Sequence, residues 1–170
     1  MSAPILVAYA TRYGSTQEVA EAIAATLHDA GLMVEIRPVR DVQSLEQYSA
    51  VVLGSALYQY HWHKDAQRFL ARHRKALMER PVAIFTLGPV HDPHDEAEWQ
   101  SSRGQLEKEL AKYPWLEPIA VELFGGQFEP SKFRFPINVL AGAEPASDIR
   151  DWSAIESWAH GLAARFEASS

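Results

Sequence analysis

Thr11-Arg12-Tyr13-Gly14-Ser15-Thr16 follows the apolar run Ile5-Leu6-Val7-Ala8-Tyr9-Ala10 and leads into Gln17-Glu18-Val19-Ala20, the start of a segment with helical periodicity. The order is strand, tight turn, helix. A turn carrying three hydroxyl residues and a glycine, set where a helix presents unpaired N–H groups and the positive end of its dipole, suits a phosphate. Gly14 permits the backbone bend, and Thr11, Ser15 and Thr16 supply donors. Neither Gly-x-Gly-x-x-Gly, for a dinucleotide pyrophosphate, nor Gly-Lys-Ser/Thr, for a nucleoside triphosphate, is present, which leaves a phosphate monoester. The ordinary alternative is that Ser15 or Thr16 merely caps the helix at Gln17.

Residues 4–10 are continuously apolar, as in a strand buried on both faces of a parallel sheet. Val19, Ala20, Ile23, Ala24 and Leu27 recur at helical spacing, and Gly31 stands where that helix should stop. Residues 32–39 predict a second strand at a sheet edge, because Pro38 cannot donate to a ladder. After a polar connection, residues 50–56 predict a third strand. A helix over 64–78 then places Ala66, Phe69, Leu70 and Leu77 on one face. A fourth strand is expected over 81–86, a helix with Trp99, Leu106 and Leu110 inward over 96–113, and a fifth strand over 119–124. Ile155, Trp158, Leu162 and Phe166 define a final amphipathic helix. Residues 125–151 fit neither period. Strands alternating with helices imply a parallel α/β sheet with right-handed crossovers, whose ligands bind at the carboxyl ends of strands one, three and four.

The chain of 170 residues is expected to form one domain, spanning 1–170, with about 70% of its unfolded surface buried. It has no Cys, which excludes disulfides, thiolate metal sites and cysteine nucleophiles and is compatible with a cytoplasmic protein. Sixteen basic and 22 acidic residues give a formal charge of -6, which argues against a nucleic-acid partner. No apolar run is long enough to span a bilayer.

Two later loops carry chemistry. Ser55-Ala56-Leu57-Tyr58-Gln59-Tyr60-His61-Trp62-His63 concentrates three aromatic rings and two histidines beyond the third strand. Thr86-Leu87-Gly88-Pro89-Val90-His91-Asp92-Pro93-His94-Asp95 has an irregular backbone fixed by Gly and Pro, which offers N–H and C=O groups to a ligand edge. A rival reading makes His61, His63, His91, His94, Asp92 and Asp95 metal ligands, but no helical His-x-x-x-His pair supports it. With no Gly-x-Ser-x-Gly elbow, acyl transfer has no carrier, and any chemistry belongs to a cofactor.

The pattern Thr-x-x-Gly-x-Thr at 11–16, together with residues 54–58 and 85–93, resembles the three FMN loops of the flavodoxin family. Phe124-Gly125-Gly126 and residues 148–155 are similar to the branch of that family that includes menaquinone-dependent protoporphyrinogen dehydrogenase. The resemblance implies a doubly wound five-stranded parallel sheet in the order 2-1-3-4-5, with helices on both faces and FMN bound non-covalently. It assigns the phosphate to Thr11, Arg12, Tyr13, Gly14, Ser15 and Thr16, and the ring to Ser55, Ala56, Leu57, Tyr58, Tyr60, Trp62, Thr86, Leu87, Gly88, Pro89, Val90 and Asp92, with Tyr58 and Trp62 as stacking candidates. Its partners would be a redox protein or a small-molecule electron donor or acceptor. Two alternatives stay open: a flavoenzyme acting on a quinone- or porphyrinogen-type substrate, covered by residues 127–146, and a binding module of the same fold without FMN. Against that dehydrogenase, Leu57 replaces an arginine, Gln59 replaces a glycine, and the late segment is shorter, with only Lys132 and Arg134 basic.

Overall fold

In the computed structural model, which describes residues 3–58, 61–129 and 146–169, strand β1 (Ile5–Ala10) is buried at every position. Such burial needs an apolar layer on each side. Ile5, Val7 and Tyr9 meet Val19, Ala20, Ile23 and Leu27 of helix α1 (Ser15–Asp29) and Ile155, Leu162 and Phe166 of helix α5 (Trp152–Ser169). Leu6, Ala8 and Ala10 face the opposite layer. It contains Phe69 and Leu70 of α2 (Lys64–Arg72), Leu77 of α3 (Arg74–Met78) and Leu106 of α4 (Glu96–Leu110).

Strands β2 (Val34–Pro38), β3 (Ala50–Tyr58), β5 (Val82–Leu87) and β6 (Ala120–Phe124) complete the parallel part of the sheet. Its order is β2-β1-β3-β5-β6, and the short β4 (His61–Trp62) pairs antiparallel with β3. Counted among the parallel strands alone, this is the expected order 2-1-3-4-5. Pro38 ends the edge strand opposite Tyr9, where its missing N–H costs no second ladder. Gly31 closes α1 at φ +93, with its N–H on the His28 carbonyl (2.9 Å) and the Leu32 N–H on that of Leu27 (3.2 Å). This pair of bonds is a Schellman stop.

Two elements differ from their expected form. The helix expected over 64–78 is broken at His73, whose backbone sits at φ -106, ψ 21 between α2 and α3. Its imidazole is buried and packs on Phe69 at 4.8 Å between ring centroids. The third strand also runs past Ala56 to Tyr58 and turns back, with Leu57 opposite Trp62 and Tyr58 opposite His61. Gln59 and Tyr60 lie outside the described residues. Within the aperiodic stretch 125–151, β7 (Gln127–Phe128) pairs with β8 (Ser147–Asp148), while residues 130–145 are outside the description. No helix among the described residues is long and apolar enough to cross a membrane.

Burial lowers the pKa of His73 below the usual imidazole value, helped by the charge of Arg72 and opposed by a hydrogen bond at Val42. The unfolded chain therefore binds the proton more readily. The stability contribution of the neutral ring is complete above about pH 6.5 and is lost as pH falls through the folded-state value. Chemical denaturation at about pH 7.5 and about pH 5 should show a larger loss for wild type than for His73→Phe. Equal losses would remove His73 as a source of acid sensitivity.

Candidate functional site

The turn between β1 and α1 leaves its backbone N–H groups available because its N-cap residue supplies no side-chain cap. Gly14 occupies the N-cap at φ +95, a left-handed conformation that an L side chain adopts only with strain, and it has no side chain with which to cap the first N–H groups of α1. Ser15 and Thr16 are the first helical residues, so neither is the cap that the ordinary reading required. Thr11 stabilises the turn instead, its Oγ1 accepting the Gly14 N–H at 2.8 Å. The Glu18 N–H reaches the Gly14 carbonyl at 3.2 Å, while those of Ser15, Thr16 and Gln17 belong to the helix end that has no intrahelical acceptor. Thr16 is fully buried, and its Oγ1 has no hydrogen-bond partner among the described residues. An orphaned hydroxyl among free N–H groups at the positive end of a helix fits an anion.

This turn borders a cavity of about 270 Å³, to which all three sequence-predicted loops contribute. Arg12, Tyr13 and Ser15 come from the first, Ala56, Leu57 and Tyr58 from the second, and Leu87, Gly88 and Val90 from the third. Tyr13 meets Tyr58 edge to face at 6.3 Å, and the Arg12 guanidinium lies over the Tyr13 ring at 5.4 Å. Burial pushes the Tyr58 phenol up, against a weaker pull from the Arg12 backbone, so it stays a neutral donor through physiological pH.

Other predicted residues serve the walls. Trp62 is buried, stacks on Tyr113 at 6.1 Å, and donates its indole N–H to Thr86 Oγ1 at 3.1 Å, so both side chains face the core. Ser55 is buried and accepts the His63 N–H at 3.2 Å, tying β3 to the start of α2. The Pro89 carbonyl accepts the Gly126 N–H at 2.7 Å. Asp92 is exposed and accepts the His94 N–H at 2.8 Å. In the third loop, Glu98 Oε1 takes the N–H groups of Val90 (2.5 Å) and His91 (3.3 Å), which occupies donors that the sequence offers to a ligand. The histidines of the metal reading stand apart, with His61 near Glu109, His63 near Asp65 and His91 near Glu98. Among the described residues no three His, Cys, Asp or Glu side chains converge.

Gly126, Gln127 and Phe128 close the cavity; the sequence placed Gln127 and Phe128 in the cover of a substrate pocket and Gly126 only in the resemblance, and it missed the role of Arg150. The Arg150 side chain is only 4% exposed; it holds Asp148 through Nε (2.9 Å) and Nη2 (2.7 Å) and reaches the Ser15 carbonyl at 3.3 Å and Glu18 at 3.6 Å. It stacks on Trp152 at 4.8 Å. Hydrogen bonding to Asp148 leads the causes that raise its pKa against burial. Its signal was an arginine between two aspartates just before a helix, in a stretch noted only for its resemblance.

The model of the flavodoxin domain matches residues 6–136. The chain belongs to the flavodoxin-domain family. This flavodoxin-domain protein is 29% identical over 87 residues to protoporphyrinogen IX dehydrogenase [quinone] of Escherichia coli K12, covering 50% of this chain. It spans about half the length of that relative, 48%. A flavodoxin point mutant from Pseudomonas aeruginosa superposes with a TM-score of 0.61 at 16% identity, over 96% of this chain and 99% of that one. Rubredoxin oxygen:oxidoreductase from Desulfovibrio gigas gives 0.58 at 14% identity, over 98% of this chain and 37% of that one. These two likenesses concern the fold.

Replacing Arg150 by Gln removes its ion pairs with Asp148 and Glu18 beside the turn. Since both carboxylates are about half exposed, solvent limits the loss to about 1–2 kcal/mol, measured by chemical denaturation. Unchanged stability would mean that Arg150 does not hold the turn to α5.

Proposed function

We propose that this protein binds FMN non-covalently and serves as a redox protein that exchanges electrons with a partner protein or a small-molecule donor or acceptor. The observation that carries this reading is the uncapped first turn of α1 with the buried, unpartnered Thr16 Oγ1, set beside a cavity walled by three loops. The N–H groups of Ser15, Thr16 and Gln17 and the Thr16 hydroxyl would hold the phosphate, with Arg12 adding charge. Ala56, Leu57, Tyr58, Leu87, Gly88 and Val90 would flank the ring system. Bound FMN supplies one- and two-electron chemistry. The protein's part is to orient it, to exclude water with Tyr58 and Phe128, and to keep the Tyr58 proton in place.

A second reading, a flavoenzyme oxidising a porphyrinogen- or quinone-type substrate, draws support from the similarity to protoporphyrinogen IX dehydrogenase [quinone]. Its cover segment, 127–146, lies largely outside the described residues. Quinone-coupled oxidation of protoporphyrinogen by the FMN-loaded protein separates this enzyme from a carrier. We place either activity in the cytoplasm and within one domain.

Thr16→Val removes a buried hydroxyl that has no partner among the described residues. The ligand-free variant should match wild type in stability or exceed it by about 1–2 kcal/mol, because an unpaired hydroxyl is lost. Its FMN affinity, measured by calorimetry, should fall about tenfold, with riboflavin affinity unaltered. A folded variant with wild-type FMN affinity would sink the phosphate assignment.

A further inference from the structure

A second cleft, of about 610 Å³, lies beside the three-loop cavity and shares Arg12 and Tyr58 with it. His61, His63, Lys64 and Lys112 add to its lining, and no carboxylate is among the described residues that line it. Its permanently cationic side chains are Arg12, Lys64 and Lys112, on a chain of net charge -6. The buried Glu109 answers Lys112, while Arg12 and Lys64 make no ion pair among the described residues, so the lining attracts a further anion.

The polar side chains of this lining are positioned rather than loose. Lys112 Nζ is 2.8 Å from Oε2 of Glu109, a carboxylate only 1% exposed, and 3.2 Å from His61 Nδ1. Glu109 thus anchors Lys112 from beneath, and His61 Nδ1 lies 3.4 Å from the same oxygen. Across the cleft, His63 is the N-cap of α2, its Nδ1 accepting the Asp65 N–H at 3.0 Å, so Lys64 stands at the positive end of a helix. Tyr58 contributes a flat apolar wall, 6.3 Å edge to face from both Tyr13 and His63.

We propose that this cleft is a substrate subsite for a planar aromatic or quinonoid small molecule bearing a carboxylate. The rings would lie against Tyr58, toward the three-loop cavity, and the carboxylate would meet Lys64 and Lys112. The inference rests on the flavin reading for its purpose, electron exchange, but its geometry stands on the cleft alone. A cleft of this volume with Lys64 and Lys112 in its lining fits a small molecule better than the flat surface of an acidic protein.

The test uses the full chain after incubation with FMN and compares 2-naphthoate with the isosteric neutral 2-naphthamide by calorimetry. At low salt, 2-naphthoate should bind at least about tenfold tighter, a preference that falls as salt rises. Lys64→Gln should reduce the preference severalfold. Lys112→Gln strands the buried Glu109, so Glu109→Gln/Lys112→Gln serves as the second variant and should also reduce it. Equal binding of the two probes, or an unchanged preference in both variants, overturns the subsite. Flavin absorbance of the same samples reports the FMN reading separately: bound flavin without probe preference rejects only the cleft, and probe preference without flavin supports the cleft while rejecting the cofactor.

Discussion

A helix end without a cap is costly unless water or a ligand satisfies its N–H groups, and here the sheet delivers such an end to the floor of a cavity. Because β1 is buried on both faces, its last residue is fixed at the carboxyl edge of the sheet, and Gly14 turns the chain sharply enough for α1 to start there. Ser15 and Thr16 are then drawn into the buried layer as helical residues, which removes them as caps. The turn keeps its shape through Thr11 and its attachment to α5 through Arg150. The cavity walls, the guanidinium at the mouth and the neighbouring cationic cleft all take their positions from this arrangement.

Rigid core on one side and adaptable groups on the other describe how the walls are built. Trp62 and Thr86 bond within the core and lock the β3–β4 hairpin to β5, so the loops do not depend on ligand for their placement. Gly54 lets Phe85 pack against the strand, since a Cβ there would come within 1.9 Å of the ring. Glu98 behaves differently. It satisfies the Val90 and His91 N–H groups from an adjacent helix, and a carboxylate on those donors would have to compete with any ligand edge that approaches them.

Strands β1, β3 and β5 were legible because burial on both faces leaves continuous apolar runs, and Pro38 and Gly31 marked the edge strand and the helix stop by their backbone chemistry. The sheet order followed from alternation and from the resemblance. His73 was not legible as a break, since histidine is compatible with helix and only its burial against Phe69 sets the bend. The β3–β4 hairpin was hidden because aromatic residues past Ala56 suit loop and strand alike. Trp62 illustrates a limit of composition: an aromatic ring beyond a strand can face ligand or core, and here it faces Tyr113. Glu109 lay on the inward face of α4 among Leu106 and Leu110, where periodicity gives no hint of a buried carboxylate paired with Lys112.

The most direct measurement is the visible absorption spectrum of the purified wild-type protein after FMN is added and the excess removed by gel filtration. The account predicts bands of oxidised flavin that elute with the protein at near one equivalent. A protein fraction that remains colourless while folded would contradict it, and would leave the uncapped turn of α1 as a site for some other anion.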